Sequence, residues 1–187
     1  EGIAPATRLR VLEADRALVL TRDDVTVEYV TLLNRVGRHD DAAAILAGRR
    51  FHPWEGGEGL VSAQWVVAHR ELARARLREG DPVAAAELLR SAMTYPHGLG
   101  ESKHLLTPEN ELHYLLGLSM RALGHEEAAV DWLTRASGPQ GDPDAPAGDR
   151  PYWQALALRA LDQSEAAQAR LNELAAAAQE QARSEVR

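Results

Sequence analysis

Cysteine is absent from the 187 residues, which removes disulfides and thiolate metal sites and leaves nothing that demands an oxidising compartment. Lysine occurs once, at Lys103, and phenylalanine once, at Phe51. Isoleucine and threonine are also scarce, so the β-branched and aromatic stock of a sheet is missing. No apolar run approaches the roughly 18 residues of a membrane span, and residues 1–20 have neither the basic start nor the apolar core of a signal peptide. A cytoplasmic, non-membrane protein is therefore expected. The basic excess of a general nucleic-acid binder is missing too, since the formal charge is −7.

What is present is alanine, leucine, arginine and glutamate, the composition of helices, and the expected class is all-α. Four segments share one plan: LLNRVGRHDDAAAIL (32–46), ARLREGDPVAAAELL (75–89), SMRALGHEEAAVDWL (119–133) and ALRALDQSEAAQARL (157–171). Each reads as a helix end, a short polar turn and an Ala-rich amphipathic helix. The turn markers Gly37, Gly80, Gly124 and Asp162 are spaced 43, 44 and 38 residues apart. Glycine closes a helix in the left-handed conformation at little steric cost, and Asp81 ahead of Pro82 is suited to start the next one. Ala42, Ala85, Ala129 and Ala167 allow close helix approach, and Leu46, Leu89, Leu133 and Leu171 follow on the same face. Antiparallel helix pairs result, and such pairs bury their apolar faces only by stacking. Expected helices lie near 7–20, 24–36, 40–49, 60–79, 82–94, 109–123, 126–136, 151–161 and 164–182, with GPQGDPDAPAGDRP (138–151) as a loop.

These segments resemble tetratricopeptide repeats over about residues 24–177. The resemblance implies an α-α superhelix: residues 1–23 as the trailing helix of a preceding repeat, four helix pairs over 24–182, long loops at 51–59, 95–108 and 138–150, and a tail at 183–187. Two departures stand out. The family period is about 34 residues, and the first two connections here are longer. Thr26, His69 and His113 replace the large aromatic of each first helix. The combination of RRFHPWEGGEG, YPHGLGE and PENELHYLLG is narrower, and resembles the repeat region downstream of the domain of unknown function DUF5107 in large bacterial proteins. That resemblance implies a longer parent chain with a β-rich, carbohydrate-related amino-terminal portion, and the start at Glu1 without methionine fits the expectation of an excised piece.

The two long loops repeat an outline: an aromatic residue, then Pro53, Gly57 and Glu58 in the first, Pro96, Gly100 and Glu101 in the second. On one reading His52, Trp54, Glu55, Glu58, His97 and Glu101 surround a ligand such as a sugar. On the other the aromatics fold back and the glutamates cap helices starting near 60 and 102. Seven histidines raise the question of a metal, with Glu109 and His113 on one helix face near His104, but no ligand spacing such as HExxH occurs. No metal or other cofactor is expected. GxSxG and a glycine-rich phosphate loop are likewise missing, so catalysis is not expected of these residues.

The first helix of each pair should line an inner groove. Helical spacing puts Arg70, Arg74 and Arg78 in one stripe, joined by Asn34, Arg35, Tyr114, Leu118 and Arg121. Guanidinium groups there suit a protein or peptide carrying carboxylates, or another domain of the same chain. Intrahelical pairing with Glu71 and Glu79 is the competing reading. Self-association through an exposed amino-terminal edge is a further expectation.

Overall fold

The computed structural model describes residues 2–143 and 148–185, and the described residues contain helices and no strand. Ten α-helices follow in order: α1 (Pro5–Glu13), α2 (Arg16–Val19), α3 (Asp23–Arg35), α4 (His39–Gly48), α5 (Leu60–Arg78), α6 (Pro82–Met93), α7 (Asn110–Ala122), α8 (Glu126–Ser137), α9 (Arg150–Ala160) and α10 (Ser164–Glu185). The contacts divide the chain into two compact units, Glu1–Lys103 and His104–Arg187. The division falls in the expected loop 95–108, where a short 3-10 turn, His97–Leu99, had no counterpart in the sequence reading. Part of the expected loop 138–151, residues 144–147, lies outside the described residues, as do Glu1 and positions 186–187 of the expected tail.

The hairpin pairs α3–α4, α5–α6, α7–α8 and α9–α10 close alike. Gly37, Gly80, Gly124 and Asp162 take φ of 82, 79, 77 and 61°. In each turn the next residue's amide donates to a carbonyl five positions back: Arg38 to Leu33, Asp81 to Arg76, His125 to Met120 and Gln163 to Leu158, all at 2.9 Å. This bond satisfies a helix-end carbonyl that would otherwise be orphaned. Asp162 shows that aspartate can hold the left-handed position that glycine holds in the other three. After the second turn Asp81 accepts a hydrogen bond from the Ala84 amide at 3.0 Å, with Pro82 in the first turn.

Small seam residues let the helices of each pair meet. Ala42, Ala85, Ala129 and Ala167 are fully buried, as are Leu89 and Leu133, with Leu46 at 1 % exposure. Leu171 in the last pair is only half-buried. In the first unit Ala42 and Leu46 join Val30, Leu32, Leu33, Phe51 and Trp65 in a core. In the second, Leu133, Ala136 and Ala157 pack with Tyr114 and Leu161.

One expected element is corrected. The helix expected at 7–20 breaks at Ala14–Asp15, because the Asp15 carboxylate accepts from the Leu18 amide at 3.3 Å and starts the one-turn α2. Aspartate competes for local amides in this way wherever a cap is geometrically open to it. Thr26 is fully buried, and its hydroxyl donates within reach of the Val19 and Arg22 carbonyls at 3.0 and 2.7 Å.

Candidate functional site

The two Gly-Glu loops meet inside the first unit. The Phe51 amide donates to the Gly98 carbonyl at 2.8 Å. Gly100 has φ +77°, and a Cβ there would sit 2.6 Å from the Phe51 carbonyl oxygen. Glu101 then reaches back to the start of α5: its carboxylate accepts from the Gly59 amide at 2.7 Å and from the Ser62 amide at 2.8 Å. Gly59, the cap residue of α5, has no side chain to do this. The expected capping role thus exists, but for one glutamate and across loops. Glu58 precedes the cap and is exposed, and no helix starts near 102, since α7 begins at Asn110.

Asp23, in the first turn of α3, anchors the first loop. Its carboxylate accepts from Arg49 Nε at 2.9 Å and from the His52 backbone amide at 2.9 Å, with His52 Nδ1 3.2 Å away. Arg49 also donates to the Leu20 carbonyl and lies over the Phe51 ring, 5.3 Å from its centroid. Burial opposes ionisation of Asp23, but the hydrogen bonds from Arg49 and His52 outweigh it and hold its proton affinity below the ordinary carboxylate range. Neither Asp23 nor Arg49 stood out in the sequence. The only signal was an acidic first turn, which many helices share.

Of the loop candidates, Trp54 is folded back onto Gly57, where an added Cβ would overlap its ring, and it packs on the first unit's core. A small cavity of about 80 Å³ lies beside Trp54, Glu58 and Glu101. His97 opens instead, with Arg50, His52 and Lys103, into a cleft of about 780 Å³. Glu55 is exposed at the tip of the first loop. Four of the six, His52, Trp54, Glu58 and Glu101, line that small cavity, whereas His97 borders the larger cleft and Glu55 neither; Glu101 is also occupied in capping, and His52 leans on Asp23.

On α5, Glu71 stands between Arg70 and Arg74, the intrahelical pairing that was the competing expectation for Glu71. Arg70 and Arg74 approach the same Glu71 oxygen at 2.9 and 3.1 Å, and Arg78 Nε donates to the Arg74 carbonyl at 3.3 Å. Arg76 pairs with Glu79 at 2.7 Å. Arg35 is exposed at the end of α3. Asn34 is 7 % exposed, its amide donating to Gln64 while its carbonyl oxygen lies 3.0 Å from His39 Nδ1, so it ties α3 to its neighbours and offers little to a partner.

In the second unit Tyr114 is half-buried 6.0 Å from Trp153, and burial raises its hydroxyl's proton affinity. Arg121 grips Glu126 at 2.8 Å and donates to the Ala160 carbonyl at 3.0 Å. His113 lies 5.2 Å from Trp132 and 3.0 Å from Gln140 Nε2, while the Gln140 carbonyl oxygen accepts from the Glu109 amide. Among the described residues no three His, Asp or Glu side chains group to hold a metal ion.

His69, the equivalent of His113, is 8 % exposed, its ring tilted by 38° against that of Trp65 with the centroids 3.8 Å apart, and its Nδ1 donates to the Trp65 carbonyl at 2.9 Å. Burial depresses its proton affinity, and the hydrogen bond offsets this only in part. The unfolded chain then takes up the proton first, so stability falls once pH drops below about 6.5, by at most about 1.4 kcal/mol per pH unit. Urea midpoints should decline on acidification through this window, and His69→Gln should flatten the decline. An unchanged slope in the variant would remove His69 as its cause.

No known protein-family model and no solved structure matches the chain. Among the described residues no helix is long and apolar enough to cross a membrane.

Proposed function

We propose that the chain is a non-enzymatic protein-interaction scaffold, a repeat protein of the tetratricopeptide type, that takes an acidic peptide or partner segment along the face carrying Arg35, Arg70, Arg74 and Arg78. The observation that supports this most is the fourfold repetition of one hairpin closure, with the same 2.9 Å bond at each turn. Repetition of a structural unit builds extended binding surfaces, and catalytic sites have no need of it. On α5, Arg70 and Arg74 approach Glu71 and Arg78 Nε donates to the Arg74 carbonyl, which lines three guanidinium groups along one stretch of helix. Guanidinium groups in such a row suit carboxylate pairs. The resemblance to regions beside DUF5107 makes another domain of the same polypeptide one such partner.

The sugar-binding reading has weaker support, because Trp54 is turned onto Gly57 and both Glu101 oxygens are engaged by backbone amides. A peptide array of acidic and basic segments tests the scaffold. The wild-type chain should retain acidic spots, and a variant with Arg70, Arg74 and Arg78 changed to Glu should lose them. Retention of the same spots by both proteins would sink the α5 placement, and no retention by wild type would sink the scaffold reading.

A further inference from the structure

A cavity of about 800 Å³ in the first unit lies away from α5, and Arg50, the residue before the first Gly-Glu loop, lines both it and the cleft of His97. Its walls come from the α1–α2 segment on one side and α4 on the other, both of which pack against α3. Two features of the sequence keep it open. The short α2 covers little surface, and α4 presents Ala44 and Gly48, which project almost nothing into the space. The floor is apolar, made by Leu20, Tyr29 and Ile45.

The rim is cationic. Arg16, Arg38, Arg49 and Arg50 line the cavity against Glu13 and Asp41. Arg38 bridges both acids, meeting Asp41 at 2.7 Å, and Arg49 is committed to Asp23. Arg16 and Arg50 are exposed, and among the described residues neither has an acidic partner. The chain as a whole is acidic, which would repel an anion at long range. Contact wins at short range: charges that meet within a few ångströms, about 4 Å, are screened little, whereas charges beyond about 8 Å are screened by physiological salt.

An apolar floor below two unpartnered arginines selects a ligand that brings carboxylates and one aliphatic side chain together. We propose that this cleft is a second docking site, for an acidic peptide segment of a protein partner, which seats a leucine-sized side chain between Leu20 and Ile45 and presents carboxylates to Arg16 and Arg50. The proposal rests on the scaffold reading but uses a different surface. The volume is within the roughly 300–1,000 Å³ of ordinary ligand sites, so the occupant is a short segment and not a whole helix bundle.

Fluorescence anisotropy with a labelled Glu-Asp-Leu-Glu-Asp peptide and the full chain tests the site. Arg16→Glu and Arg50→Glu should each raise Kd by about tenfold or more, the scale of losing one close charge pair and gaining a repulsion. Ala44→Trp fills the cleft without changing charge and should abolish binding. Arg90→Glu, an exposed reversal on α6, gives the same net charge and should leave Kd within about twofold. Replacing the peptide leucine with serine should also weaken binding. Circular dichroism of each variant separates a lost site from a lost fold.

If Kd is the same in both cleft reversals and in Ala44→Trp, the site is wrong. Should binding vanish only when Arg70, Arg74 and Arg78 are reversed, the cleft falls while the scaffold reading stands. No peptide binding by wild type here or on the array overturns both. Equal weakening by Arg90→Glu, or an oligonucleotide binding with the same Arg16 and Arg50 dependence, would reduce the cleft to a general polyanion patch and overturn the peptide assignment.

Discussion

Gly100→Ala should destabilise the first unit by about 3 kcal/mol, lowering its melting temperature by roughly 12–24 °C. Two effects combine. Holding a non-glycine residue at φ +77° costs about 1 kcal/mol. The added Cβ, 2.6 Å from the Phe51 carbonyl oxygen, also meets backbone and not the yielding end of a side chain. One loop must move, and with it the bond from the Phe51 amide to the Gly98 carbonyl and the reach of Glu101 to α5. Gly80→Ala is the internal comparison: its φ is +79°, but nothing lies within 4 Å of the added carbon. It should cost only the conformational part, about 1 kcal/mol. Thermal unfolding by far-ultraviolet circular dichroism reads both, and equal shifts would show that the loop-to-loop contact carries no weight.

Glu101→Ala should cost about 2–3 kcal/mol, more than an ordinary cap, because one carboxylate serves two amides at the positive end of α5. Glu101→Gln keeps an acceptor but loses the charge, and should cost about half as much. The specific readout is amide hydrogen exchange. Gly59 and Ser62 should lose protection in both variants, while the amides in the middle of α5 should not. Unchanged protection at these two amides would mean that Glu101 does not cap α5 in solution.

These results bear on what the sequence could disclose. The hairpin turns were legible because everything that makes them lies within a few residues: a helix end, a left-handed position and a following cap. Even Asp162, which departs from glycine, occupies the same conformation. Helix ends fell within a residue or two of expectation at α3 through α9, since Ala-rich periodicity and turn residues agree there. The break at Asp15 was hidden because the leucines on either side continue a plausible helical face, and only the bond to the Leu18 amide reveals the cap.

The loop junction was legible in outline and not in wiring. Repetition of Pro, Gly and Glu marked both loops as purposeful, and capping was among the readings. That Glu101 would serve the helix after the other loop, 42 residues from Gly59, is a non-local fact with no local signature. Asp23 and Arg49, 26 residues apart, were missed for the same reason. The arginine stripe shows the converse limit. Helical spacing placed Arg70 and Arg74 on one face, but whether Glu71 would swing between them depends on rotamers that spacing does not fix.

The reach of Glu101 also sets an order of events during synthesis. A chain grows from its amino terminus at about 5–20 residues per second, so Glu101 follows Gly59 by roughly two to eight seconds. Throughout that interval the first turn of α5 has bare amides, and Phe51 has no carbonyl at Gly98 to bond. The earlier hairpin can form on its own, but the junction around it can close only after residue 101 has left the ribosome. A stalled or truncated product ending before that point would hold its helices and still leave its loops open to proteases.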